Sequence, residues 1–185
     1  MRHRPHLKSG RRRRPPWHAE LAQRHLDDFQ GPAMIQTPPL HYVYAVNAAC
    51  RELFPGLEPA SSTDARPASM LEWLFFHPGA KAAFEDRDRR CQIRSLLCQL
   101  RCEAPAVASP EEIEAVLAPL RASPDFNELW NCADRCEPRT ATVVELRDRA
   151  GVLRRYAVKT SRDEYPPSPY VTYYLTRIDS AHGTV

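Results

Sequence analysis

Residues 70–102, MLEWLFFHPGAKAAFEDRDRRCQIRSLLCQLRC, decide the fold. This is the densest apolar, helix-patterned segment of the chain, and the flanking segments read as packing around it. Met70, Leu71, Trp73, Leu74, Phe75 and Phe76 form a run that stops at His77-Pro78. Proline fits the first turn of a helix, where its missing N–H has no partner anyway, so Pro78 starts a second helix rather than interrupting the first. Two helices meeting at a corner follow. At ~100° per residue the second helix, read from Pro78 through Cys102, places Ile93, Leu96, Leu97 and Leu100 on one face. Phe84, Cys91, Cys98 and Cys102 fall roughly opposite, with Arg94, Ser95, Gln99 and Arg101 between. Two apolar stripes imply two covered sides: core on one, and a neighbouring helix, a ligand or a partner on the other. A helix sandwiched inside its own domain is the favoured reading. A homodimer through the second stripe is the further expectation.

Upstream, Leu21, Ala22, His25, Leu26 and Phe29 recur at helical spacing and end at Gly31-Pro32. Ala33 to Gln36 and the Tyr- and Val-rich run His41 to Val46 are two strands, separated by Thr37-Pro38-Pro39-Leu40. Asn47 then suits a helix N-cap, its side chain accepting from a first-turn N–H. Val46, Cys50, Leu53 and Phe54 give the short helix that follows an apolar face, and Pro55-Gly56 ends it. Residues 57–68 read as a polar loop.

Downstream, the chain turns at Ala104 to Ala108. Ser109-Pro110-Glu111-Glu112 has a capping serine, a proline at the first helical position and a glutamate three residues after the cap, so a helix starts there. Ile113, Val116, Leu117 and Leu120 form its core stripe, and Pro119 should kink or shorten its last turn. Ser123-Pro124-Asp125-Phe126 repeats the start signal for a helix carrying Phe126, Leu129, Trp130 and Ala133. The pattern then changes to β: residues 141–147, 152–160 and 170–178, with Asp148-Arg149-Ala150-Gly151 as the loop between the first two. Strands, then helices, then an antiparallel meander make an α+β fold with one antiparallel sheet and helices packed on one face.

The chain has 185 residues, 43% of them apolar, enough for a real core and one ordinary domain. Its composition is uneven. Residues 1–19 contain Arg2, Arg4, Lys8 and Arg11 to Arg14, no acid and almost no aliphatic side chain, so they read as a disordered Arg/Pro-rich tail or linker before a domain over residues 20–180. The net charge of +3 belongs to that tail. Such a tail gains affinity for nucleic-acid phosphates by counterion release, but it reads no sequence, and a solvated linker is the favoured reading. No apolar run is long enough to span a membrane and no apolar signal core follows the arginines, so a cytoplasmic protein with no membrane partner is expected.

Catalytic signatures are missing. The six glycines form no phosphate cradle or dinucleotide fingerprint, the metalloprotease and serine-hydrolase motifs are absent, and the seven histidines are scattered. A non-enzyme without a cofactor is the expectation. The cysteines offer a sharper alternative. Cys98 and Cys102 are one turn apart, Cys91 lies two turns before Cys98, and Cys132 and Cys136 repeat the spacing. Two such pairs suit a thiolate metal site or a redox-sensing disulfide, hence a thiol-based redox or zinc-binding switch. Packing of small buried thiols outweighs it, because zinc knuckles are more tightly spaced. No metal ligand is assigned. Candidate pocket residues come from the aromatic set and the long helix: Trp73, Phe76, Leu97, Leu100, Trp130, Tyr156 and Tyr173. Arg154 or Arg155 would be the anchor for a carboxylate.

The element order is that of a PAS-like domain. The segments GPAMIQ, YAVNAACRELFPG, MLEWLFFHPGAKAAFEDRDR and LRASPDFNELW resemble the C-terminal ligand-binding domain of MmyB-like transcription regulators, over about Leu26 to Trp130. In that family a PAS-like module follows a helix-turn-helix DNA-binding domain. The resemblance implies a sensor for a small apolar, fatty-acid-like ligand held between sheet and helices. Thr37-Pro38-Pro39-Leu40 departs from the family's Asp- or Gly-containing turn, and the family's segment after Trp130 is not recognisable. The sequence shows no helix-turn-helix, and residues 1–19 resemble the interdomain linker of such regulators. DNA contact is therefore expected only through a missing or separate helix-turn-helix domain.

Overall fold

A computed structural model describes residues 19–59, 67–133, 142–162 and 168–178. The expected basic tail lies outside the described residues, as does Cys136. Six strands form one sheet: β1 (Ala33–Thr37), β2 (Tyr42–Val46), β3 (Ala68–Ser69), β4 (Val143–Arg147), β5 (Leu153–Ser161) and β6 (Val171–Arg177), in the order β3-β2-β1-β6-β5-β4. Every neighbouring pair is antiparallel. The last strand inserts beside the first, so residues at both ends of the chain share the centre of the sheet.

Alternation along the strands separates two apolar clusters. Met34, Val46, Leu146, Tyr156 and Leu175 join the larger core beneath the helices α2 (Ala48–Leu53), α3 (Met70–Phe76), α4 (Pro78–Ala83), α5 (Asp86–Val107), α6 (Pro110–Leu120) and α7 (Phe126–Ala133). Ala33, Ile35 and Ala45 face the other way and pack with Ala22 and Leu26 of α1 (Ala19–Asp27). The helical layer thus covers one face as expected, and α1 covers part of the second. The amphipathic spacing of α1 is the reason: its buried positions need an apolar surface, and small side chains on β1 and β2 provide it.

Asn47 caps α2 as the sequence implies, and it also ties that helix to β1. The side chain is 3% exposed. Its Oδ1 accepts from the backbone N–H of Cys50 at 2.9 Å and of Ala33 at 3.0 Å. Its amide nitrogen donates toward the carbonyls of Leu26, Phe29 and Gly31 at 3.1, 3.1 and 2.8 Å. One buried amide thereby fixes the end of α1, the turn into β1 and the start of α2.

The corner at His77-Pro78 forms as expected. Ser69 caps α3 through Glu72 N–H at 3.3 Å, α3 stops at His77, and Pro78 opens α4 while the His77 Nδ1 accepts from Gly79 N–H at 3.0 Å. The single helix expected from Pro78 to Cys102 is in fact two. Phe84 adopts an extended backbone (φ −109°, ψ 152°) that ends α4 and carries its ring into the core beside Phe54 and Trp73. Asp86 and Asp88 then favour a fresh N-terminus, where backbone N–H groups point at negative charge. Phe84 is therefore interior, not part of an outward stripe.

At its other end α5 runs to Val107, past the turn expected at Ala104. Pro105 lies in the last turn, where only one helical bond is forgone, and Ala108 N–H closes the helix on the Ala104 carbonyl at 2.8 Å. Pro119 is accommodated the same way, one residue before α6 ends. The capping box at Ser109 and Glu112 forms in both directions, at 3.2 and 2.8 Å. The α5–α7 pair is the most extensive helix packing among the described residues, reinforced by Arg90 against Glu128 (2.6 Å) and Asp125 (3.4 Å). No helix among the described residues is long and apolar enough to cross a membrane.

Candidate functional site

Between the inner face of the sheet and the helices lies a cavity of about 90 Å³. Its floor is sheet: Met34 and Gln36 of β1, Val144 of β4, Val158 of β5, Tyr173 and Leu175 of β6. Its wall is α5, through Gln92, Ser95, Leu96 and Gln99. Met70 and Leu74 of α3, Phe54, Phe84 and His41 complete it.

The α5 wall explains the geometry. Positions 92, 95, 96 and 99 recur at helical spacing and lie about 110° around the helix from Ile93, Leu97, Leu100 and Ala104. Those four are fully buried within the larger core. Of Ile93, Leu96, Leu97 and Leu100, the stripe read as one face of the helix, only Leu96 lines the cavity.

His41 sits at the β1–β2 turn in a left-handed conformation (φ 57°), uncommon for a residue other than glycine. Its backbone is held on both sides: its N–H donates to the Thr37 carbonyl at 2.8 Å, and its carbonyl accepts from Met70 N–H, the first residue of α3, at 3.0 Å. The ring is 1% exposed, and neither nitrogen has a hydrogen-bond partner among the described residues. Burial pushes its pKa down to about 4, so the imidazole is neutral at pH 7. Gln36 and Gln99 are buried as well. The Gln36 amide nitrogen lies 2.7 Å from Met34 Sδ, a weak acceptor. Burial raises the Tyr173 phenol pKa, with Arg162 opposing, so this group too is neutral. Among the described residues lining the cavity, none carries a charge at neutral pH.

Of the seven pocket candidates from the sequence, Tyr173 lines this cavity. Trp73 is buried behind it, its indole N–H donating to the Pro55 carbonyl at 3.0 Å and its ring stacked on His77. Leu97 and Leu100 are fully buried in the larger core, and Tyr156 is buried on the inner sheet face. Trp130 is half-buried, stacked on Phe126 with the Arg101 guanidinium 5.1 Å from its ring centre. Phe76 is 44% exposed. Arg154 pairs with Asp148 at 3.0 Å and Arg155 with Glu145 at 3.4 Å, so both serve the hairpin.

The polar wall was the part the sequence did not single out. A glutamine, serine and glutamine at i, i+3 and i+7 on a helix whose other long polar side chains are charged is the one signal that pointed to it. The cysteines separate by environment: Cys50 and Cys98 are buried, Cys91 and Cys102 exposed, and Cys132 half-buried. Among the described residues no group of three or more His, Cys, Asp or Glu side chains is placed to hold a metal ion.

The family model for the MmyB-like transcription regulator ligand binding domain matches residues 19–164. The chain belongs to this family. The MmyB-like match includes β4 and β5, beyond the Trp130 limit of the resemblance carried by the sequence motifs. No curated protein matches the chain.

Proposed function

We propose that the cavity is the ligand site of this MmyB-like domain, and that the chain senses a small, mainly apolar molecule and reports it to a separate DNA-binding domain or partner. The observation that supports this reading is a half-open cavity between sheet and helices with a mainly apolar floor and a few polar groups, the composition of small-molecule sites. Two methionines, Met34 and Met70, line it, and their flexible side chains can yield to an occupant. A binding role, not a catalytic one, suits a lining without a nucleophile–base pair. A regulator of transcription would work in the cytoplasm.

Size restricts the ligand. An apolar cavity of roughly 150 Å³ holds benzene, so 90 Å³ holds about four non-hydrogen atoms before side chains move. The fatty-acid-like ligand implied by the family would need the methionines to swing aside, and its carboxylate meets no cation in the lining.

Homodimerisation loses the observation that suggested it, since Phe84 and Cys98 are interior and leave only Cys91 and Cys102 on that side of α5. The zinc switch gains no support, since no group of three or more potential ligands comes together among the described residues.

The test is a ligand screen by native mass spectrometry and thermal shift on the full chain and on Leu96→Trp, which fills the cavity from the α5 wall. A compound that stabilises the wild type and not the variant supports the proposal. Equal stabilisation of both, or no hit in a panel of small aliphatic and aromatic compounds, refutes it.

A further inference from the structure

Buried polar side chains are normally satisfied, and an imidazole shielded from water with neither nitrogen engaged is a costly arrangement. His41 is such a group, and it borders the cavity. Its placement is not slack in the chain. Both its N–H and its carbonyl are bonded, and a left-handed backbone holds the residue at the rim where β1, β2 and α3 meet.

Gln99 and Gln36 approach the same space, the first from α5 and the second from the sheet. Among the described residues the close acceptor of the Gln36 amide nitrogen is the Met34 thioether. A neutral imidazole presents one donor and one acceptor, and a glutamine amide presents both kinds as well. Together they match a group that gives and takes hydrogen bonds without carrying charge. No residue lining the cavity is a cation, so a carboxylate would lose hydration without a direct cationic partner, which disfavours the ionised form.

We infer that His41 is the polar anchor of the cavity, and that the ligand's head is a neutral hydroxyl or amide on a short aliphatic chain. This rests on the cavity being the ligand site, as proposed above. Tyr173 is the neighbouring phenol from the floor, and Met34 and Met70 take the chain.

NMR titration of the full chain, without any substitution, tests the anchor directly. The probes are 1-propanol, propionamide, propionate and xenon, read at the His41 ring nitrogens and at the Met34 and Met70 methyls. The alcohol and the amide should shift the His41 ring, and propionate, of the same size as propionamide but ionised, should bind at least tenfold more weakly. His41→Phe should weaken propionamide at least tenfold while retaining the xenon response at the methyls. His41→Asn, which tolerates the left-handed backbone, provides a second variant if the phenylalanine is not accommodated.

Equal binding of propionate and propionamide overturns the inference, as does a His41 ring that no probe moves. If xenon shifts the methyls while the neutral probes leave the ring unchanged, the cavity stands as a binding site, its polar groups serve water alone, and the anchor is wrong. If neither xenon nor the organic probes perturb Met34 and Met70, the ligand-site reading falls with it.

Discussion

Acidification should destabilise this protein through His41 before the bulk of its carboxylates titrate. The perturbation is a change from pH 7 to pH 4. In the unfolded chain the imidazole has its ordinary pKa of about 6.5, whereas burial lowers it to about 4 in the folded state, with no charged neighbour contributing. Below pH 6.5 the unfolded chain therefore binds a proton that the folded protein refuses. Stability is fully present above about pH 6.5, falls as pH drops toward about 4, and loses nothing further from this group below that. A gap of about 2.5 pKa units, at about 1.4 kcal/mol per unit, is about 3 kcal/mol. That is a large share of the roughly 5–15 kcal/mol typical of a domain. Urea unfolding of the wild type and His41→Asn at half-unit pH steps isolates the effect, because carboxylate titrations are common to both chains. The wild type should lose about 3 kcal/mol more than the variant across this window. Parallel loss in the two proteins, or an NMR-measured His41 pKa near 6.5, would refute the reasoning.

Asn47→Leu removes the acceptor of two backbone N–H groups and the donor toward three carbonyls; unfolding in urea should show a loss of at least about 3 kcal/mol, since buried unsatisfied groups cost roughly 1–3 kcal/mol each. In Gly79→Ala the new Cβ would fall 2.0 Å from the Pro55 carbonyl oxygen, a contact with backbone that a rotamer cannot relieve. Its melting temperature should fall by an amount corresponding to about 2 kcal/mol or more. Mass mapping after brief treatment with a thiol-specific alkylating agent should find Cys91 and Cys102 modified and Cys50 and Cys98 protected until the protein unfolds. Burial excludes reagent from the latter two and raises the Cys50 pKa, holding it as the thiol.

Much of this architecture was legible because local rules and global packing agree. The capping box at Ser109, the proline after His77, the Asp148 hairpin and the β-rich last third each specify one backbone outcome, and the chain adopts it. The break at Phe84 was not legible. Residues 78–102 read as one helix by composition, and the interruption follows from where a large ring finds its core, a tertiary fact. The extension of α5 through Pro105 was hidden for a related reason: a proline in the final turn forgoes only one bond, which packing outweighs. The second use of Asn47 as a donor toward three carbonyls was equally invisible, because it depends on where α1 ends in space.

Apart from Tyr173, the cavity residues were not legible as a pocket in the sequence. Aromatic and aliphatic side chains are sought as pocket walls, but on α5 they go to the core, and the positions left for the cavity include Gln92, Ser95 and Gln99. Their spacing could have found them. His41 could not be found that way, since a histidine after Pro38-Pro39 and before a Tyr-Val run looks like the start of a strand.

Asn47 and His41 make an informative pair. Both flank β2, both are polar, and both are almost completely removed from solvent. Asn47 has five hydrogen-bond contacts within 3.1 Å, and a structural role accounts for all of them. The His41 ring has none from the described residues, in spite of a backbone clamped at both its N–H and its carbonyl. Equal burial with opposite satisfaction argues against a generally loose interior: this fold satisfies a buried amide fully a few residues away. Where a protein breaks a local rule without compensation, function is the usual reason. The broken rules here, a left-handed histidine and an unengaged buried ring, fall on one residue, and that residue borders the cavity. It also links the cavity to α3 through the bond from Met70 N–H. A group engaging the His41 ring would therefore act on the residue whose backbone joins the β1–β2 turn to the helical layer.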